Sequence, residues 1–208
     1  MKNKINYQKR LQKTLISLEN EENKPSLLLH VCCGPCLTIP LEILKDKFNI
    51  TLFFNNSNIY PEEEYFRRLN ELKRYLKDIG FEHIPLIVKD YDPEDFLSVL
   101  SPYGDLKEGY ERCRVCFRKR LGEAYLYASE NGFDYVSTVM TISRYKNAQD
   151  INQIGENLEK LYPTIKWLYA DFKKEDGYEK SLQICKNHDL YFQEYCGCFY
   201  SYKKRFEK

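Results

Sequence analysis

An α/β fold on a doubly wound, mainly parallel sheet of about five strands, Rossmann-like, is what this sequence predicts. Two observations carry the expectation. Short apolar runs of strand length alternate with longer amphipathic segments, the pattern of parallel strands joined by helical crossovers. The first run, Leu27 to Val31, has the unbroken apolarity of a strand buried on both faces. It stops at Cys32-Cys33-Gly34-Pro35-Cys36, so thiols occupy a strand-to-helix turn, where open α/β sheets place their chemistry.

Taken in order, Tyr7 to Leu18 reads as a docking helix with Leu11, Leu15 and Leu18 on one face, and Glu19 to Pro25 as a polar linker. After the cysteine turn a helix is expected from Leu37 to Lys45 and a second strand from Ile50 to Phe54. The polar loop Asn55 to Tyr60 ends at Pro61, where a helix opens that Gly80 closes. His83 to Val88 reads as a third strand, Pro93 to Leu100 as a short helix and Ser101 to Glu111 as loop. A long helix then runs from Cys113 to about Asn131, with Gly132 as its stop. Tyr135 to Val139 is a fourth strand, Asn147 to Leu161 a helix, Ile165 to Tyr169 a fifth strand and Gly177 to about Asn187 a helix. The whole reads as one domain: helix and linker over 1–25, core over 26–201 and a basic tail over 202–208.

With 208 residues, 43% hydrophobic and 30% charged, the chain is long enough to bury one sizeable core. A net charge of +1 means that any polyanion must meet a local patch rather than the whole molecule. The 18 Tyr and 12 Phe supply stacking surfaces as well as core. No apolar run approaches the ~20 residues of a membrane span, and Met1 to Glu22 lacks the apolar centre of a signal peptide. A cytoplasmic protein without membrane contact is expected. There, the eight cysteines are better suited to metal or redox chemistry than to a disulfide framework.

Their spacing is informative: Cys32, Cys33 and Cys36, then Cys113 and Cys116, then Cys196 and Cys198, with Cys185 alone on a helix as a small buried hydrophobe. Thiols at a helix N-terminus meet unpaired N–H groups and the positive end of the dipole, which favours the thiolate. Three readings compete. Cys33-Gly34-Pro35-Cys36 could be a thioredoxin-like redox pair; Cys113, Cys116, Cys196 and Cys198 could hold structural zinc in an RNA-binding module; or the three groups together could hold an iron–sulfur cluster. Spacing alone does not separate zinc from iron.

The Cys32-Cys33-Gly34-Pro35 turn, Asn58-Ile59-Tyr60-Pro61 with Glu64-Tyr65 and Arg67-Arg68, Arg112-Cys113 with Cys116, Ser143-Arg144-Tyr145-Lys146-Asn147, and Gln193 with Tyr195-Cys196-Gly197-Cys198 occur here in one order. In these motifs the chain resembles the QueH-type epoxyqueuosine reductases from about residue 27 to residue 201. The resemblance implies a relative of the adenine-nucleotide α-hydrolase-like (PP-loop) fold whose cysteine turn replaces the phosphate loop. It also implies the activity: two-electron removal of the epoxide oxygen of epoxyqueuosine at the tRNA wobble position, giving queuosine. The cofactors implied are a [4Fe-4S] cluster and a second metal ion, expected to be iron, without cobalamin. The partners implied are the anticodon stem-loop bearing epoxyqueuosine and a small electron-transfer protein or reductant.

On this reading Cys33, Cys113, Cys116 and Cys198 hold the cluster, and Cys32, Cys36 and Cys196 hold or face the second metal and are catalytic. Many members carry Asp at the position of Cys36, so a thiolate replaces a carboxylate here; many carry Arg at the position of Phe192. Asn56, Asn58 and Tyr60 after the second strand, Ser143, Arg144 and Lys146 after the fourth, and Arg112 beside the thiol pair are expected to bind substrate. Arg67, Arg68, Lys73, Arg74, Arg114, Arg118, Lys119, Arg120 and Lys203 to Arg205 join the candidate basic rim. His30 reads as a hydrogen-bonded core histidine.

Overall fold

The structure is a computed structural model that describes residues 5–207. Five parallel strands form one sheet: β1 (Ser26–His30), β2 (Asn49–Phe54), β3 (Leu86–Val88), β4 (Tyr135–Thr138) and β5 (Lys166–Trp167). Their spatial order is β3-β2-β1-β4-β5, with Leu28 opposite both Thr51 and Val136 in register. The chain winds outward from β1 through β2 to β3, then returns to lay β4 on the other side of β1. The winding therefore reverses between β1 and β4, and the crevice beyond the C-terminal ends of those two strands is where such sheets bind ligands.

The helices are α1 (Tyr7–Ser17), α2 (Gly34–Leu44), α3 (Glu62–Asp78), α4 (Pro93–Leu100), α5 (Glu111–Glu130), α6 (Ala148–Leu161), α7 (Gly177–Asn187) and α8 (Phe199–Phe206). α2 packs between α3 and α7, and α5 packs on α6 and α4. Leu27, Leu28 and Leu29 of β1 are completely buried, as is Val31 beyond its end. This explains why the first run carries no polar alternation. No helix among the described residues is long and apolar enough to cross a membrane.

Several boundaries differ from expectation, each for a local reason. α2 begins at Gly34 rather than Leu37, because Pro35 is pre-set for a first helical turn, and this draws Cys36 into the helix. α5 begins at Glu111, so Cys113 and Cys116 stand one above the other on its first two turns. β3 is cut to Leu86–Val88, since Ile84 bonds back to Phe81 in a turn and Pro85 has no N–H to give. β5 keeps only Lys166–Trp167, and past it the Ala170 N–H donates to Asn152 Oδ1 instead of a strand. The expected basic tail is mostly helix: α8 covers 199–206, capped by Cys198, with Tyr202 packed on Phe206 at 4.9 Å and Lys203, Lys204 and Arg205 in the last turn. Cations there suit the negative end of the helix dipole.

Close packing on the β5 side depends on Gly155, against which the Trp167 ring lies so closely that a Cβ would overlap it. Trp167 is pinned by its Nε1–H, which donates to Asn152 Oδ1 at 3.0 Å. Gly155→Ala is therefore expected to cost about 1–3 kcal/mol, read as a lower urea midpoint at unchanged m-value.

Candidate metal centre

The site assembles at the crevice. Cys32 and Cys33 follow β1 directly; Cys33 caps α2, and Cys36 lies in its first turn. The sulfurs of Cys32, Cys33 and Cys36 all lie within 4.8 Å of one another, with Cys32 and Cys33 at 3.7 Å. All three residues are buried. They titrate as a unit: hydrogen bonds from Cys33 and Cys36 hold Cys32 well below the usual thiol range. The bond to Cys32, with burial, pushes Cys33 up to about 12, and bonds to Cys32 and Cys33, with burial, push Cys36 up. The group thus favours one thiolate, and a metal must displace the remaining protons to recruit the others.

One thiol from each of the other two groups, Cys113 and Cys196, lines a cavity together with Cys36. Cys113 accepts a hydrogen bond from the Gly109 N–H at 3.2 Å. Burial pushes Cys116 up to about 12 and raises Cys113, and the thiols of Cys196 and Cys198 reinforce both shifts. Cys196 and Cys198 flank Gly197, whose φ of +115° is glycine territory. A Cβ at 197 would lie 2.7 Å from Arg68 Nη1. This turn is fixed from both sides: the Tyr60 N–H donates to Gly197 O at 2.7 Å, and Arg68 donates to Cys196 O at 3.0 Å and Tyr195 O at 3.3 Å.

Arg68 is 2% exposed, so it does not belong to a surface rim. Its Nε donates to Glu64 at 2.7 Å, and Glu64 also accepts from the Tyr191 hydroxyl at 3.0 Å. Arg120, also buried, donates to Asn56 Oδ1, while Asn56 Nδ2 donates to Val31 O at 2.9 Å. The Arg120 Nε has no partner among the described residues. Lys146 is half-buried; burial works against its charge, but the thiols of Cys196, Cys32 and Cys36 outweigh it and raise its pKa. Gln193 Nε2 donates to Cys33 Sγ at 3.2 Å. Thus Arg68, Arg120 and Lys146 bring positive charge to a sulfur-rich site, which favours a bound anion or a thiolate–metal complex.

The predicted substrate residues divide. Ser143, Arg144 and Lys146 line a cavity of about 660 Å³, together with Cys36, Cys113 and Cys196. Asn58 and Tyr60 line a different cavity, with Cys198. Asn56 lies beneath the site on Arg120. Arg112 is buried under the 104–106 turn, donating to Gly104 O at 2.6 Å and to Leu106 O, with its guanidinium 4.5 Å from the Tyr200 ring. At the large cavity's mouth Arg144 lies over Tyr145 at 4.9 Å and Tyr178 at 5.5 Å, and Tyr145 is 72% exposed.

His30 is buried in β1, with Nδ1 2.8 Å from Thr138 Oγ1; burial lowers its pKa to about 3, so it is neutral near pH 7. Cys185 packs with Tyr75 and Leu190, away from the other thiols. The roles of Arg68 and Gln193 escaped the sequence reading. The Glu64 and Arg68 spacing of four on a helix was the available signal for the first, and nothing local marked the second.

The donor set fits an iron–sulfur or other thiophilic metal group: soft sulfur ligands, buried, with compensating cations and an unpartnered Arg120 Nε beside them. It does not fit an exposed dithiol couple, since Cys33 and Cys36 are both buried and both raised.

A family profile described as Epoxyqueuosine reductase QueH matches residues 27–204. A protein of Streptococcus pyogenes serotype M1 named Epoxyqueuosine reductase QueH is 40% identical over 203 residues, 96% of this chain and 79% of its own length. Proteins of the same name from Staphylococcus aureus and Thermotoga maritima are 39% and 32% identical, over 97% and 88% of this chain and 86% and 93% of their own lengths.

Proposed function

Because this chain belongs to the epoxyqueuosine reductase QueH family and is an oxidoreductase of tRNA modification, we propose that its seven grouped thiols hold the metals that open and deoxygenate epoxyqueuosine. The observation that carries the proposal is the buried triad of Cys32, Cys33 and Cys36, whose Cys36 shares one large cavity with Cys113 and Cys196. Cys33, Cys113, Cys116 and Cys198 would hold a [4Fe-4S] cluster, and Cys32, Cys36 and Cys196 the second metal, an iron. When bound, these groups supply single electrons and a Lewis acid. Cys36 lies within 4.8 Å of Cys32 and shares a cavity with Cys196, which supports grouping those three.

The rest of the mechanism belongs to side chains. The 660 Å³ cavity takes the modified base and its cyclopentane ring, with Phe192 and Ile142 supplying apolar wall. Ser143 Oγ and Lys146 Nζ are the donors there for the substrate oxygens, and Lys146 stabilises negative charge as it builds on the departing oxygen. Gln193 holds Cys33 by its Nε2–H. Arg144 and Tyr145 at the mouth meet the anticodon loop, the guanidinium on phosphate and the ring on an unpaired base. The compartment we propose is the cytoplasm, where thiols stay reduced.

The test is anaerobic protein, dithionite and tRNA carrying epoxyqueuosine. The digested nucleoside should lose one oxygen atom by mass spectrometry, and an unchanged nucleoside with iron-replete protein would overturn the reading. Arg144→Ala should weaken binding of the anticodon stem-loop and lower the salt-dependence slope by about one.

A further inference from the structure

Cys196 borders the large cavity, whereas Cys198, two residues on, borders a second one of about 340 Å³, so the Gly197 turn separates the two. The second cavity matches the lower end of small-molecule sites, about 300–1,000 Å³. Tyr60, Tyr91, Phe96, Phe199 and Tyr200 line it with aromatic rings. These walls are held in place: Tyr60 stands edge-on to Phe199 at 5.1 Å and Tyr202 at 5.2 Å, and the Tyr91 hydroxyl donates to Ile59 O at 2.8 Å.

Into this apolar space comes one amide. Asn58 lines it and is 7% exposed; its Oδ1 is sealed from the cavity without a partner among the described residues, so the amide nitrogen is the group it can turn to a ligand. An amide nitrogen offers two donors, which suit the carbonyl oxygens of a heteroaromatic ring. The charges at the rim are negative: Glu62 and Glu94 line the cavity, and Glu63 and Asp95 share the first turns of α3 and α4 with them. A phosphate would be repelled here, while an uncharged planar ring would not.

We infer that this cavity is the electron inlet and that its occupant is the uncharged isoalloxazine ring of a dihydroflavin. The ring stacks among the aromatics, a ring carbonyl accepts from the Asn58 amide nitrogen, and its electrons leave at Cys198. The redox half of this inference rests on the reductase reading; the binding half does not. The balance closes: the dihydroflavin gives two electrons and two protons and becomes oxidised flavin. Both C–O bonds of the epoxide break, a C=C bond forms, and the oxygen leaves as water with the two protons.

The probe is lumiflavin, the ring without a phosphate, titrated by fluorescence quenching into anaerobically purified protein with its native metal content. Saturable quenching is expected, weaker by about tenfold or more in Leu97→Arg, which carries a bulky cation into the cavity from a 40% exposed helix position. Asn58→Ala, which removes only the amide, should weaken it by a similar factor. Flavin mononucleotide should bind less well than lumiflavin. Unsaturable quenching, wild-type affinity in both variants, or displacement of lumiflavin by uridine at similar concentration would overturn the inlet, the last by making the cavity a pyrimidine pocket. Turnover driven by photoreduced lumiflavin should fall in Leu97→Arg relative to turnover driven by dithionite, and an unchanged ratio would also overturn it. If wild type turns over with neither donor, the reductase reading fails instead, and the quenching result still decides the binding.

Discussion

Cys113→Ser, purified without oxygen, is expected to lose its acid-labile sulfide and broad visible absorbance, and with them all measurable epoxide reduction. Wild type should carry about four sulfides per chain, the content of one [4Fe-4S] cluster. The reason is geometric. Cys113 and Cys116 rise one helical turn apart from the start of α5, so losing either leaves a two-point anchor with one arm. A serine hydroxyl is a poorer, harder ligand for iron than a thiolate. Cys185→Ser is the control, because Cys185 sits in a separate cluster with Tyr75 and Leu190, and it should retain iron and sulfide. Equal metal content in the two variants would remove Cys113 from the ligand set. Zinc without sulfide in wild type would remove the cluster altogether.

Replacing Arg68 by Met should produce the largest loss of stability among single changes at the site, about 3–5 kcal/mol, since it strands a buried Glu64 carboxylate. It also frees the Tyr195 and Cys196 carbonyls, and the cysteine turn between Arg68 and Tyr60 loses one of its two supports. Chemical denaturation reads the first effect and anaerobic iron content reads the second. Adding Glu64→Gln to Arg68→Met should recover part of the stability, because the uncompensated charge is gone, without recovering the iron. A double variant that recovered both would mean that Arg68 acts only through Glu64. Arg68→Lys keeps the charge but has one ammonium where a planar fork reaches three acceptors, so an intermediate phenotype is expected.

How much of this was legible in the sequence depends on how local each signal is. The strand pattern and the turn at Cys32 to Cys36 could be read because β1 is buried on both faces and a parallel strand then shows as an unbroken apolar run. α4 and α7 match their expected limits, since Asp92 with Pro93 and the stop at Asn187 are local. β5 was overdrawn because the run Ile165 to Tyr169 keeps its ladder only as far as the Leu168 N–H, which donates to Val136 O, and beyond it the Ala170 backbone bonds to the Asn152 side chain. α8 was missed because its aromatic contacts, Tyr195 with Phe206 and Tyr60 with Tyr202, join residues that sequence does not place together.

By itself the sequence determined the thiol inventory, the strand-to-helix position of the first group, the order of the family motifs and the parallel α/β architecture. These follow from periodicity, turn chemistry and residue type, all of which act over a few neighbouring positions. Only the tertiary structure decided that Arg68 and Arg120 turn inward as counter-charges and that Arg112 supports a loop. It also decided that Asn58 and Tyr60 face a different cavity from Ser143, Arg144 and Lys146. An arginine looks the same in sequence whether its charge is solvated or buried. Its role is set by whether distant carbonyls, carboxylates and thiols converge on it, and that is fixed only when β1 and β4 come together and the C-terminal turn docks on α3.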